Sequence, residues 1–204
     1  MGFYDDVILP RLVHLVMRNA RLLPYRERIA AAAQGRVLEI GIGSGLNLPF
    51  YSPAVSEVLG LEPSARLIAM AQRAAHESAQ PVRLVEGSAE AIPLDAGSVD
   101  SVVTTWTLCS IPNAGAALAE MRRVLRPGGR LLFVEHGRAP DAGVRVWQDR
   151  LTPVWRTLAG GCHLNRPIRA MIEDAGFAID HLQASYMPGP KAFTFMSEGA
   201  ARPR

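Results

Sequence analysis

Apolar residues run along this chain in two rhythms. Short apolar runs predict strands at 36–40, 55–62, 82–86, 99–105 and 130–135. Between them, apolar positions at helical spacing predict helices over 65–76 and 114–125, the second stopped by Arg126-Pro127-Gly128-Gly129. Strands alternating with helices imply right-handed βαβ units, with ligands taken at the carboxyl edge of a mostly parallel sheet.

The two ends of the chain break this rhythm. The stretch 3–33 opens with Phe3-Tyr4-Asp5-Asp6 and continues as a helix from about Ile8, with Pro10 in its first turn. Ile8, Leu12, Leu15, Val16 and Met17 form its apolar stripe. Arg11, His14 and Arg18 interrupt it, so it is too short for the roughly 20 apolar residues that span a bilayer. Two readings stay open: a lid over a ligand site, or an interfacial helix touching a membrane surface. A second helix covers 25–33 after Pro24. Residues 138–165, with Trp147, Trp155, Gly160, Gly161 and Cys162, show no strand pattern and read as a helical insertion over a substrate pocket. A helix over 167–175 and a hairpin of 177–185 with 191–198 close the fold, leaving 199–204 as a loose tail. No linker divides residues 1–204, which read as a single domain.

Composition narrows the class. Hydrophobic residues make up 49% of the 204 and charged residues 20%, which describes a globular chain. The net charge of +3 is mild, no basic block is present, and a nucleic-acid partner is not expected. Cys109 and Cys162 are too isolated along the chain for a disulfide framework or a paired-cysteine metal site. A reduced, cytoplasmic setting follows, and Asp5 and Asp6 stand where a signal peptide would be positive.

The chemistry concentrates where the strands end. Gly41, Gly43 and Gly45 follow the first strand, so the backbone there can turn sharply and approach a ligand. A dinucleotide loop would need a third glycine at position 46, which is Leu46, and here an acid, Glu39, precedes the glycines. Glu62 ends the second strand, where its carboxylate suits a ribose diol or else caps the next helix. Ser88 and the Ala89 N–H offer hydrogen bonds to an adenine edge, or form an ordinary turn. Trp106 is either core or a wall of the site.

The pattern Glu-x-Gly-x-Gly-x-Gly resembles motif I of the class I S-adenosylmethionine (SAM) methyltransferases. EIGIGSG, LGLEPS, EGSAEAIP, the strand ending at Trp106 and VLRPGGRLLFVEH extend the likeness over about residues 30–136. The resemblance implies an α/β Rossmann-like three-layer sandwich, its seven-stranded sheet parallel except for an antiparallel last strand. It also implies that Glu39 and Gly41 to Gly45 hold the methionine part of SAM, Glu62 the ribose, and Ser88 with Ala89 the adenine. Trp106 and Thr107 would flank the cofactor, with Asn47 and Pro63 among its contacts. GLNLPFY, TWTLCSI, EHG and GGCHLNR further resemble methyltransferase-like thiol S-methyltransferases and their bacterial relatives. The interrupted helix at 8–17 departs from the long hydrophobic N-terminal anchor of the eukaryotic members.

Methyl transfer from a sulfonium is an in-line displacement that needs no metal, so the protein positions the acceptor and takes its proton. His136 and His163 are the candidates for that proton, with Tyr4, Tyr51, Cys109 and Asn165 as pocket groups; both cysteines also fit as buried apolar residues. The acceptor expected is a small, fairly apolar molecule, first of all a thiol. The rivals are a phospholipid or quinone methylated at the membrane surface and a SAM-binding regulator without catalysis.

Overall fold

The computed structural model describes Tyr4 and residues 8–204, so the expectations attached to Phe3, Asp5 and Asp6 lie outside the described residues. One sheet contains β1 (Gly35–Ile40), β2 (Val55–Glu62), β3 (Val82–Glu86), β4 (Val99–Thr105), β5 (Leu125–His136), β6 (Phe177–Tyr186) and β7 (Phe195–Pro203). Its order is β3-β2-β1-β4-β5-β7-β6. Pairing is parallel from β3 to β5, and β7 is antiparallel to both β5 and β6. Strand order reverses between β1 and β4, which opens a crevice beyond their carboxyl ends.

The helices are α1 (Leu9–Met17), α2 (Leu23–Ala32), α3 (Ala65–His76), α4 (Ala114–Val124), α5 (Ala142–Leu158), α6 (Ile168–Asp174) and the single turn α7 (Lys191–Thr194). Successive strand residues face opposite sides, and both sides here are apolar. Leu38, Ile40, Val102 and Phe133 pack under Leu118 of α4 and Ile172 of α6. Val37, Val103, Leu132 and Val134 pack against Ile29 and Ala30 of α2. Each face needs its own helix layer, hence three layers. By the same alternation Glu39 shares a face with Val37, and Glu135 shares one with Phe133.

Helix starts set the rim of the crevice. Ser64 accepts from the Leu67 N–H to begin α3, and Asn113 accepts from the Ala116 N–H to begin α4. Each such cap contributes about 1 kcal/mol. The Arg126–Gly129 segment breaks the β4–β5 register between the Val99–Leu125 and Ser101–Arg130 pairs, so the regular ladder starts at Arg130.

Two expectations fail near the C-terminus. Residues 191–194 form a helical turn, and the strand begins only at Phe195. The supposed loose tail is strand: Gly199 to Ala201 pair with β5 on one side, and the strand pairs with β6 on the other through Pro203. Its small residues carry no apolar alternation. Two flanking ladders hold it instead, and a Cβ at Gly199 would collide with the His181 carbonyl.

Candidate active site

A cavity of about 400 Å³ lies beyond the carboxyl ends of β1, β2 and β4. The glycine loop forms its floor. The Gly41 and Ile42 N–H groups both donate to the Leu61 carbonyl, at 2.8 and 3.1 Å, tying the loop to β2. Gly41 has φ of 65°, and a Cβ there would sit 2.5 Å from Thr107 Cγ2. Gly43, at φ of 58°, has no atom within 3.9 Å of the place a Cβ would take, and it opens on the cavity. One glycine makes room for protein and the next makes room for a ligand.

Glu62 is 6% exposed and joins both sides of the cavity. It accepts from the Gly43 N–H at 3.1 Å and from the Ser64 N–H at 3.0 Å, one on each oxygen. Each oxygen keeps acceptor capacity for a further donor. Burial pushes its carboxyl up, and those two N–H groups pull it back down. Ser64, not Glu62, caps α3 with its side chain.

Glu39 is held from behind. It accepts from Asn47 Nδ2 and from the Tyr51 hydroxyl, both at 2.8 Å. Asn47 also accepts from Arg26 Nη1 at 2.6 Å and donates to Thr105 Oγ1 at 3.1 Å. Burial pushes the Glu39 carboxyl up to about 7, opposed by Tyr51, Asn47 and Arg26.

Trp106 leaves the end of β4 with φ of 51°, the one positive φ at a non-glycine among the described residues. A bulky residue in that region is strained and persists only where its surroundings hold it. Here the Trp106 N–H donates to the Val134 carbonyl at 2.8 Å, and the Arg26 guanidinium lies 4.8 Å over the ring. Thr107 follows, its N–H donating to Glu135 Oε1 at 3.0 Å. Glu135 is fully buried, also accepts from Thr104 and the Leu108 N–H, and is pushed up to about 7 by burial.

Pro63, Ser88, Ala89, Trp106 and Thr107 all line the cavity, as do Glu39, Gly41, Gly43 and Glu62. Ser88 also accepts from the Glu90 N–H at 3.2 Å, so it forms the turn and faces the cavity at once. The opposite wall comes from α1, through Leu9, Val13, His14 and Met17, and from Ser110 to Pro112. The inner face of α1 therefore lines the cavity. Of the insertion, only its end reaches the cavity, at Ala159 and Gly160. Sequence reasoning missed Arg26, His14 and Ser110. Only the two arginines and the histidine that interrupt the apolar stripe of α1 hinted that this helix is not plain core.

Several expected site residues lie elsewhere. Gly45 packs against Ala74 and Ala71 of α3, and Asn47 and Tyr51 support Glu39 without reaching the cavity. His136 is 8% exposed, with Nε2 3.4 Å from Cys162 Sγ beneath the loop after α5. Cys109 is 2% exposed against Cys162. Both the N–H and the ring Nδ1 of His163 lie on the Cys109 carbonyl, at 2.9 and 3.1 Å. Asn165 donates to Asp149 at 2.7 Å, and the Tyr4 hydroxyl donates to the Leu158 carbonyl at 2.6 Å. None of these residues lines the cavity.

A methyltransferase domain family matches residues 38–133. The thiol S-methyltransferase TMT1B of Homo sapiens is 36% identical over 190 residues, spanning 90% of this chain and 77% of that protein. The phosphatidylethanolamine N-methyltransferase of Cereibacter sphaeroides is 36% identical over 176 residues, spanning 84% of each. The chain spans 64% of the rat thiol S-methyltransferase TMT1B, with 34% identity. In fold it is similar to a SAM-dependent methyltransferase of Thermotoga maritima, with a TM-score of 0.70 and 21% identity over 99% of this chain and 98% of that one. The cavity fits that cofactor, with an open backbone at Gly43 and a buried carboxylate at Glu62 that can accept from hydroxyls. The glycine loop, the acids at the ends of β1 and β2 and these likenesses agree: the chain belongs to the SAM-dependent methyltransferases.

Proposed function

We propose that this methyltransferase transfers the methyl group to a small, fairly apolar acceptor, the sulfur of an exogenous thiol. The observation that carries the reading is the composition of the acceptor side of the cavity. Leu9, Val13, Met17, Trp106 and Ile111 make up most of it, with His14, Arg26 and Ser110 as its polar members, while the acids, Glu39 and Glu62, sit at the ends of β1 and β2 on the glycine-loop side. The likeness to thiol S-methyltransferases supports the same choice.

In this reading Glu62 holds the ribose hydroxyls, Gly41, Gly43 and Glu39 the methionine part, and Ser88 with Ala89 the adenine edge. Trp106 and Thr107 flank the reacting region. When bound, SAM supplies an electrophilic methyl on a sulfonium and leaves as S-adenosyl-L-homocysteine (SAH). The apolar wall excludes water and orients the acceptor sulfur. His14 is the imidazole that lines the cavity among the described residues, its Nδ1 2.7 Å from Ser44 Oγ. Burial and Arg18 lower its pKa, which favours the neutral imidazole, the form that can take the thiol proton. A thiol near pKa 8.5 needs only that modest help.

A second reading is methylation of a lipid amine at a membrane surface. The outer face of α1 favours it, exposing Leu15 at 69% and Val16 at 57% beside Arg11 and Arg18. Incubation with methyl-labelled SAM and a panel of thiols, quinones and phospholipids separates the two. Label on thiols is the expected result; label confined to phospholipid overturns the thiol reading.

A further inference from the structure

Cys109, His136 and Cys162 come from three separate parts of the chain: the loop after β4, the last residue of β5 and the loop after α5. All are buried, and their sulfur and nitrogen atoms lie within 4.8 Å of one another. Cys162 Sγ is 3.6 Å from Cys109 Sγ and 3.4 Å from His136 Nε2. None of the three lines the cavity, and the proposed methyl transfer uses none of them.

The two edges that meet at Cys162 match a known coordination geometry, and the third, from Cys109 to His136, lies within 4.8 Å. Bonds of about 2.3 Å to sulfur and about 2.0 Å to nitrogen, at tetrahedral angles, place two sulfurs about 3.8 Å apart and sulfur and nitrogen about 3.5 Å apart. The two edges at Cys162 fall within about 0.2 Å of those values. A disulfide, by contrast, needs its sulfurs about 2.0 Å apart. We propose that Cys109, Cys162 and His136 form a binding site for a thiophilic, tetrahedrally coordinated divalent cation of the zinc type.

Thiolate and imidazole donors select such a cation over magnesium or calcium, which take oxygen ligands. Two thiolates also balance its charge in a buried site. On binding, thiol and imidazolium protons leave to solvent, two metal–sulfur bonds and one metal–nitrogen bond form, and nothing is oxidised or reduced. Three protein ligands leave a fourth position open, as in catalytic rather than structural zinc sites. Ser110 marks the nearer side: its Oγ is 3.5 Å from Cys109 Sγ, and the residue lines the cavity. The proposed site therefore lies one residue behind the cavity wall at Ser110.

The test uses the full chain, purified under reducing conditions, stripped with chelator and titrated with cobalt(II) and then zinc. The expected result is one cobalt per chain, with thiolate-to-metal charge transfer and the intense visible bands of tetrahedral coordination, displaced by zinc. Cys109→Ser, Cys162→Ser and His136→Gln each weaken binding by more than the roughly 10- to 100-fold that loss of an outer-shell partner causes. SAH calorimetry on each variant reports whether it is folded, and the wild-type spectrum decides the matter without any variant. The proposal is overturned if reduced wild type shows no thiolate charge transfer, or if the double serine variant keeps the same spectrum. A Cys109–Cys162 disulfide after air oxidation, with no metal uptake after reduction, overturns it in favour of a redox pair.

Discussion

Arg26 and Glu39 are linked through one amide: Asn47 accepts from Arg26 at 2.6 Å and donates to Glu39 at 2.8 Å. This bridge fixes the acid of the cofactor loop to α2 and, through Arg26, to the face of Trp106. Replacing Asn47 with leucine leaves Arg26 and Glu39 each short of a buried partner. The expected loss of stability is about 1–3 kcal/mol, together with weaker SAH binding. Denaturant titration and calorimetry measure both, and unchanged values for both would refute the bridge's role.

The two glycines at the cavity floor separate folding from binding. Gly41→Ala forces its Cβ against Thr107 and is expected to lower stability sharply. Gly43→Ala meets no protein atom, so the fold loses only the left-handed cost of about 1 kcal/mol. Its methyl points into the cavity, and SAH affinity falls. Equal melting temperatures for the two variants would contradict this division.

In the proposed reading Glu62 holds the ribose hydroxyls. Glu62→Ala is expected to reduce SAH affinity on the order of 10-fold or more, the range for hydrogen bonds to a charged group. Undiminished binding in calorimetry would remove Glu62 from the site.

If Glu39 holds the methionine part of the cofactor, as proposed, cofactor binding depends on pH. Its carboxyl is raised from 4.5 to about 7 by burial, and Glu135 is raised to the same value. A carboxyl with a raised folded pKa binds more protons folded than unfolded, so stability falls as pH climbs from about 4.5 to about 7 and the contribution is gone above that. A cationic amino group beside Glu39 favours the carboxylate, so cofactor binding near pH 7 releases a proton. Calorimetry in buffers of different ionisation enthalpy should show that release, and Glu39→Gln should reduce it. Heats independent of buffer would count against the placement.

The outer face of α1 separates lid from membrane contact. Ile8, Leu12, Leu15 and Val16 are all exposed there, and no helix among the described residues is long and apolar enough to cross a membrane. If the helix works at an interface, the wild type floats with anionic vesicles and Leu15→Glu with Val16→Glu abolishes flotation. A wild type that stays in the soluble fraction assigns α1 to covering the cavity alone.

By itself the sequence determined most of the sheet and several of the residues that line the cavity at the strand ends. Residues 55–62, 65–76, 82–86 and 99–105 form the elements their spacing predicts, because burial on both faces and helical periodicity are local signals. Glu39, Gly41, Gly43 and Glu62 were legible as residues of the cavity edge, because a turn off a strand needs glycine there and the strand tip delivers the acid. The tail at 199–203 was not, since its place depends on two ladders rather than on its own apolar pattern. Nor was the acceptor side. Side chains beyond a strand end point where packing sends them: Trp106, turned by its positive φ, lies under Arg26, while Cys109 points inward to Cys162, 53 positions away. Two cysteines that look isolated along the chain become neighbours only when β4, β5 and the loop after α5 meet, and that meeting is decided by tertiary packing.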